Sequence, residues 1–200
     1  MHSAIQHFRS NIERVCALGG LYEALSRLTT PAVDTTDILR AQIVLAVSAL
    51  DHYIHELTRL GMLEVFNGLR PSTSAFGRFH VTIDAAMAGI AGSGGSSWFE
   101  AEIREKHGFL AFQHPDKVAD AIRLFSACEL WPQVAIKLGL SIQEVKSRLR
   151  LIVERRNKIA HEADLDPSYP GTRWPISSAD AGSTVKFIED ICEAIHSVIT

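Results

Sequence analysis

Apolar residues recur at steps of three and four along most of the chain, the period of amphipathic α-helices. The first run covers residues 4–28, where Gly19 and Gly20 predict an interruption or bend. Later runs predict helices at about 81–90, 97–107, from His114 onward, from Trp131 to Gly139, and 178–199. No segment shows a trustworthy strand pattern, and no linker separates two cores. The sequence therefore predicts an all-α, single-domain helical bundle over residues 1–200.

The helix expected at about 37–60 is apolar nearly all round, which predicts a central position in the bundle. Its polar side chains cluster within about a third of the circumference. They are Arg40, Ser48, Asp51, His55 and Arg59, with His52 at the edge. Because charges on a buried helix are costly unless paired, this arc is expected to face a cleft or an opposite charge. An ordinary solvated stripe is the alternative.

Two segments between the predicted helices read as loops. Residues 61–80 mix Gly, Pro, Ser and Thr with apolar residues. The stretch Gly89–Ser97 is rich in glycine and serine, which predicts a mobile loop or lid. It lacks the Gly-Lys-Ser/Thr ending of a phosphate-binding P-loop, and no strand precedes it.

A long helix is predicted over 142–164, opened by a capping box of Ser141 and Glu144. One face carries four polar residues within about 60° of one another. They are Arg150, Glu154, Asn157 and His161. Arg156 lies on the packing face, where a guanidinium needs a carboxylate partner. Asp51 on the central helix is the predicted partner.

The end of this helix carries candidate chemistry. From Lys137 to His161 there are seven Lys/Arg residues against two acidic ones, in a chain of net charge -3. A histidine can exchange protons near neutral pH, and arginine forks match phosphate oxygens. A histidine and arginines without a metal cluster fit cleavage of RNA by its own 2′-hydroxyl, which requires no cofactor. A solvated helix end, where basic residues favour the helix dipole, is the alternative.

Composition narrows the function classes. The chain has no global basic character, so a polyanion would have to bind a local patch. Three widely spaced cysteines without a CxxC pair argue against a disulfide framework or a zinc knuckle and fit a reducing cytoplasm. The N-terminus lacks the pattern of a signal peptide, and no apolar run is long enough to span a bilayer. A cytoplasmic protein without membrane contact is expected.

The segment Arg156-Asn157-Lys158-Ile159-Ala160-His161 resembles the Arg-Asn-x-x-x-His form of the motif of HEPN domains. The apolar helix 39–57, with its acid and histidines, strengthens the likeness. Phe112-Gln113-His114-Pro115 and Leu130-Trp131 lie between the two. Together these features resemble the RiboL-PSP-HEPN branch over most of the chain. That family consists of small helical bundles, many of them RNases of toxin–antitoxin and antiviral systems.

The resemblance implies a homodimer whose two motif helices face each other across a cleft that cuts RNA without a metal. It carries Arg156 and His161 over as catalytic residues and Asn157 as their polar helper. Supporting residues are then expected at Asp51, Arg40, His55, Arg155 and Glu162, and RNA contacts at Arg150 and Lys158. An antitoxin protein is a further candidate partner. Toxins of the superfamily that pair with a nucleotidyltransferase have a tyrosine where this chain has Ala163, which argues against that type of partnership.

Two other functions compete with the nuclease. The first is a HEPN module that binds RNA or protein without cutting. The second is a DNA-binding helix-turn-helix over residues 135–149, with a short helix, a turn at Gly139, a cap at Ser141 and a basic second helix. The apolar period continues through Ile159, which favours a core helix over an exposed recognition helix.

Overall fold

A computed structural model describes residues 1–30, 32–92 and 95–200. Within these ranges it contains eight α-helices and no strand, which confirms the all-α class. The helices are α1 (His2–Leu28), α2 (Thr36–Phe66), α3 (Ile83–Ala91), α4 (Ser97–His107), α5 (Pro115–Arg123), α6 (Leu130–Leu138), α7 (Ile142–His161) and α8 (Ser178–Ile199). A 3-10 turn covers Phe76–Arg78, and an isolated β-bridge joins Leu165 to Arg173. None of the described helices has the length and apolar character needed to cross a membrane.

The α2 helix is the centre of the bundle, as its apolar circumference predicts. It packs against α1, α4, α5, α7 and α8. Leu39, Leu50, Ile54 and Leu57 are fully buried along its length. Near its N-terminus a smaller apolar cluster joins Leu39 and Ile43 to Ala181 of α8, with Ile159 of α7 packed against it. The motif end of α7 is therefore fixed to the start of α2.

Two helices contain glycines at positions of close packing, and neither helix ends at these glycines. The α1 helix runs through Gly19 and Gly20 without the predicted interruption. A β-carbon at Gly19 would lie 3.0 Å from the Gln42 side chain. The α2 helix continues six residues past the predicted boundary, because Gly61 makes room for Phe125: a β-carbon there would come within 2.3 Å of the ring. The loop predicted from residue 61 thus begins only after Phe66.

Helix boundaries follow the capping signals unevenly. The capping box of Ser141 and Glu144 is present, preceded by Gly139 in a left-handed conformation. The α4 helix begins at Ser97, and its N-cap residue Ser96 makes no side-chain hydrogen bond. The α7 helix stops at His161, short of residue 164. The centre of the predicted glycine lid, residues 93 and 94, lies outside the described residues, as does Pro31.

Candidate nucleic-acid interface

Arg156, Asn157 and His161, named here the motif site, lie in the last turns of α7. The helix is held in the bundle by one buried face, formed by Val145, Leu149, Ile152 and Val153. Asn157 and His161 are exposed, as predicted from their angular position. Glu154 is also exposed and Arg150 is half-buried. Two of the three motif side chains are therefore open to a ligand.

Arg156 lies half-buried, toward the packing face, and does not pair with Asp51. Its Nε atom is buried and has no hydrogen-bond partner among the described residues. The Asp51 carboxylate instead accepts hydrogen bonds from the Phe112 backbone at 2.6 Å and from the Gln113 side chain at 3.0 Å. The predicted Asp51–Arg156 ion pair is wrong. Angular position gives the face of each helix but not the residue opposite it.

His55 belongs with Asp51 and not with the motif site. Its Nε2 lies 3.9 Å from the Asp51 carboxylate and 3.2 Å from the Leu110 carbonyl oxygen. The imidazole also packs on Phe112, with ring centres 4.5 Å apart. The two residues fix the segment that leads into α5. Asp51, the acidic residue of the polar arc on α2, thus has its hydrogen-bond partners in the segment before α5.

Arg40 and Arg155, expected to support catalysis, meet at a carboxylate that the sequence did not single out. Asp164 is fully buried. Its Oδ2 accepts hydrogen bonds from Arg40 Nε at 2.7 Å and from Arg155 Nη2 at 2.9 Å. Arg155 Nη1 lies 2.8 Å from Oδ1, an ion contact without hydrogen-bond geometry. Arg40 also donates to the Trp174 carbonyl oxygen at 2.8 Å. We name Arg40, Arg155 and Asp164 the Asp164 cluster.

The Asp164 cluster folds the chain sharply at the end of α7. Ala163 and Asp164 both adopt positive φ, 51° and 59°, which costs energy for residues other than glycine. The Asp164 backbone N–H donates to Lys158, and the Trp174 N–H donates to Asp164. These bonds bring the following loop back along the helix directly beyond His161.

Two arginines share the Asp164 carboxylate, and the exposed Asp37 carboxylate lies 3.8 Å from Arg40 Nη1, so these four groups together are neutral. Burial lowers the pKa of Arg155, and the positive charge of Arg40 acts in the same direction, while the Asp164 carboxylate opposes both. The Arg155 side chain stays protonated, because the ordinary pKa of arginine lies far above neutral pH.

The remaining predicted residues flank the same helix end. The Lys158 ammonium lies 5.4 Å from the centre of the Trp174 ring. Glu162 is the exposed C-cap of α7, and its backbone N–H donates to Lys158. A mainly apolar groove of about 500 Å³ runs beside them. Its lining consists of the apolar residues Ala41, Val44, Leu45, Ile159, Ala160 and Ala163 and the charged residues Asp37, Arg40 and Arg173.

Two basic residues on the second helix of the helix-turn-helix alternative, Lys146 and Arg148, are engaged within the chain. Lys146 pairs with Asp116 at 2.8 Å. Arg148 lies over the Phe187 ring at 4.1 Å and donates to the Ser183 carbonyl oxygen. A recognition helix needs such side chains free for bases and phosphates. These contacts weigh against the DNA-binding reading.

The helical bundle and the placement of the motif can be compared with known protein families. The family model described as RiboL-PSP-HEPN matches residues 18–200. The chain belongs to the RiboL-PSP-HEPN family. The match takes in every helix from α2 to α8 and the whole motif site. No curated protein and no solved structure matches the chain.

Proposed function

We propose that this HEPN chain is a metal-independent endoribonuclease that acts as a homodimer. The observation that carries the proposal is the electrostatic state of the motif site. Asn157 and His161 are exposed, and the buried Nε of Arg156 has no partner in the described part of the chain, whereas the adjacent Arg155 is bound to Asp164. A guanidinium that no carboxylate neutralises is available to a phosphate.

The proposed reaction is transesterification within the RNA strand. The 2′-oxygen attacks the neighbouring phosphorus and the bond from phosphorus to the 5′-oxygen breaks. The products are a 2′,3′-cyclic phosphate and a free 5′-hydroxyl. His161 accepts the 2′-hydroxyl proton, and His161 of the partner subunit gives a proton to the leaving 5′-oxygen. Arg156 stabilises the charge that develops on the phosphate oxygens, and Asn157 orients the phosphate.

A homodimer would complete this site. The apolar groove between α2 and α7 adjoins the motif site, and Leu45 in it is 47% exposed. A second copy packed on this face would cover the apolar surface and bring two α7 ends together. Arg150 and Lys158 would then lie on both sides of the shared cleft and contact the RNA backbone. Leu45→Glu should convert a dimer to a monomer in light scattering, whereas Leu28→Glu, at an exposed site outside the groove, should not.

The nuclease is tested with single-stranded RNA and the purified full chain in the presence of EDTA. Wild type should produce fragments with cyclic-phosphate ends, and His161→Ala should stop their formation. His7→Ala, which removes an exposed histidine of α1, is the matched control and should cut normally. If wild type and His161→Ala leave the RNA equally intact, the nuclease proposal fails and a non-cutting binding module takes its place.

The proposed setting is a toxin–antitoxin or antiviral defence system in the cytoplasm, with an antitoxin as a further partner. The nuclease chemistry of the motif site supports this, because an RNA-cutting chain is harmful to its own cell unless restrained. Expression in a host without the neighbouring genes should arrest growth, and His161→Ala should remove the arrest. Normal growth on expression of active enzyme would contradict the toxin role.

A further inference from the structure

The segment that follows α7 forms a short hairpin over residues 165–173. An antiparallel bridge between its first and last residues closes it. Beside the bridge, the Asp166 backbone N–H donates to the Thr172 carbonyl oxygen at 2.8 Å. The Tyr169 N–H donates to the Asp166 carbonyl oxygen at 3.1 Å, and the Tyr169 carbonyl oxygen accepts from Thr172 at 3.0 Å. Tyr169 therefore lies at the tip of the hairpin, eight residues after His161.

The backbone at this tip is stiff. Pro167 and Pro170, on either side of Tyr169, each have a fixed φ angle. Gly171 takes a positive φ of 80°, which a glycine adopts without strain. A ligand would therefore meet Tyr169 on a preformed backbone, with little ordering cost.

The hairpin is also fixed to the helices that carry the motif site. Arg173 pairs with Asp37 of α2 and lines the groove between α2 and α7. Directly after the hairpin, the Trp174 backbone N–H donates to the Asp164 carbonyl oxygen at 2.9 Å. The tip lies four residues beyond the first residue of the hairpin, and four residues span at most about 14 Å. Tyr169 is therefore held close to the end of α7.

The Tyr169 side chain leaves most of its surface in water. It is 66% exposed, although a tyrosine ring gains free energy when a partner covers it. Leu165, at the start of the same hairpin, is 46% exposed. The chain thus holds an aromatic ring on a rigid support and covers little of it.

A cation lies at the base of the same structure. The Lys158 ammonium of α7 is 5.4 Å from the centre of the Trp174 ring. Proteins hold single-stranded nucleic acid with cations along the backbone and with aromatic rings against the bases. Lys158 and Tyr169 supply one group of each kind at the end of α7.

We propose that Tyr169 stacks on one base of single-stranded RNA and so sets the position of the strand in the motif site. This inference rests on the proposed function, because the stacked base belongs to the strand that His161 would cut. The bases of a duplex are already stacked and paired, whereas those of a single strand are free to lie on a ring. Tyr169 thereby selects single strands and takes no part in proton transfer.

Fluorescence anisotropy of a short labelled single-stranded RNA tests the proposal in the His161→Ala background, where the strand stays whole. Adding Tyr169→Ala should weaken binding by about tenfold, whereas Tyr169→Phe should stay within about twofold, because the ring is kept. Phe109→Ala, which removes a ring that is 80% exposed after α4, is the matched control and should bind normally. A duplex of the same sequence should bind equally with and without Tyr169→Ala.

Abasic sugars placed at one position of the RNA at a time identify the stacked base. At one position, loss of the base should weaken binding to His161→Ala by about tenfold and should have no further effect once Tyr169→Ala is present. The proposal is overturned if no position behaves in this way or if Tyr169→Ala binds the RNA normally. A Tyr169→Ala variant that changes the oligomeric state in light scattering and leaves RNA binding intact would place a second copy on the ring and would overturn it as well.

The cleavage assay separates this inference from the nuclease proposal. If wild type cuts RNA while Tyr169→Ala binds and cuts as wild type does, the stacking proposal alone fails. If wild type leaves RNA intact while the abasic effect depends on Tyr169, the nuclease alone fails and the stacking site stands.

Discussion

Arg155 and Arg156 are neighbours on one helix, yet their guanidinium groups meet opposite surroundings. Arg155 contacts both oxygens of the buried Asp164 and shares that carboxylate with Arg40. Arg156 has a buried Nε without a partner and belongs to a site whose other members are exposed. One arginine is satisfied by the chain itself. The other has no partner for its Nε among the described residues.

This difference separates a structural region from the proposed functional one. A buried carboxylate with two arginines fixes the path of the chain beyond α7, because removing the carboxylate would leave both guanidinium groups without the charge they share. An unsatisfied buried donor has the reverse effect, since it costs stability in the free protein and gains its partner only on binding. Stability and activity should therefore respond to different residues.

Breaking the Asp164 cluster should have the largest effect on stability. Asp164→Asn keeps the size of the side chain and tolerates the positive φ, but removes the charge that both arginines share and leaves Arg40 only the exposed Asp37 at 3.8 Å. We expect a loss of about 3–5 kcal/mol in the free energy of unfolding and a fall in Tm of about 10 °C or more. Asp190→Asn, in an exposed pair with Lys186, should change stability by less than about 1 kcal/mol. Equal losses in the two variants would contradict the structural role.

We expect acid to lower the free energy of unfolding through protonation of the buried side chain of His107. Its Nδ1 is buried without a partner, and burial, with a smaller contribution from His55, lowers the pKa of His107 to about 4 from 6.5. The unfolded chain therefore takes up this proton first as the pH falls, and stability decreases between pH 6.5 and 4 by up to about 3 kcal/mol. Denaturant unfolding at several pH values should show this loss.

His107→Phe should flatten that pH dependence, because the ring continues to pack on Phe79 and Phe112 without titrating. Burial also lowers the pKa of His196, so a smaller slope should remain. An unchanged slope in His107→Phe would show that the site is not the acid-sensitive one.

The Asp51→Asn variant tests the role of Asp51, which was predicted to pair with Arg156 but accepts hydrogen bonds from Phe112 and Gln113. The variant should lose about 1–2 kcal/mol, because the Phe112 and Gln113 hydrogen bonds no longer end on a charged oxygen. Hydrogen exchange at the Phe112 amide should become faster. In a double-mutant cycle with Arg156→Ala the effects should add within about 0.5 kcal/mol. A larger coupling energy would indicate that Asp51 and Arg156 do interact and would contradict the structure.

The helical pattern gave the fold class, the central position of α2 and the exposed stripe of α7, because burial follows the period of the helix. It misplaced the end of α2, since Gly61 reads as a loop signal in sequence. Its role is to admit Phe125, a residue distant along the chain. Local propensity does not contain that contact.

The sequence predicted which residues belong to the motif site, but it did not predict which charged side chains pair with one another. Asn157 and His161 lie where the periodicity places them, but Asp51 and Arg156 are not partners. Asp164 follows the helix end in a segment rich in turn residues, where an acid usually reads as solvated. Only the positive φ at Ala163 and Asp164 turns this carboxylate back between Arg40 and Arg155, and no local pattern signals that turn.

Arg156→Ala should have the smallest effect on stability of these variants. It removes a donor that has no partner, so the free energy of unfolding should change by less than about 1 kcal/mol. Arg155→Ala should cost more, since it removes one of the two arginines that hold Asp164. Denaturant unfolding of the two variants side by side measures the difference, and a greater loss in Arg156→Ala would reverse the comparison.

The initial rate of cleavage of single-stranded RNA by Arg156→Ala, relative to wild type, tests the central claim most directly. We expect the rate to fall by about 100-fold or more while Tm stays at the wild-type value, because a charge that stabilises the transition state is lost. Cleavage by Arg156→Ala at the wild-type rate would contradict the assignment of the motif site as the place of RNA cleavage.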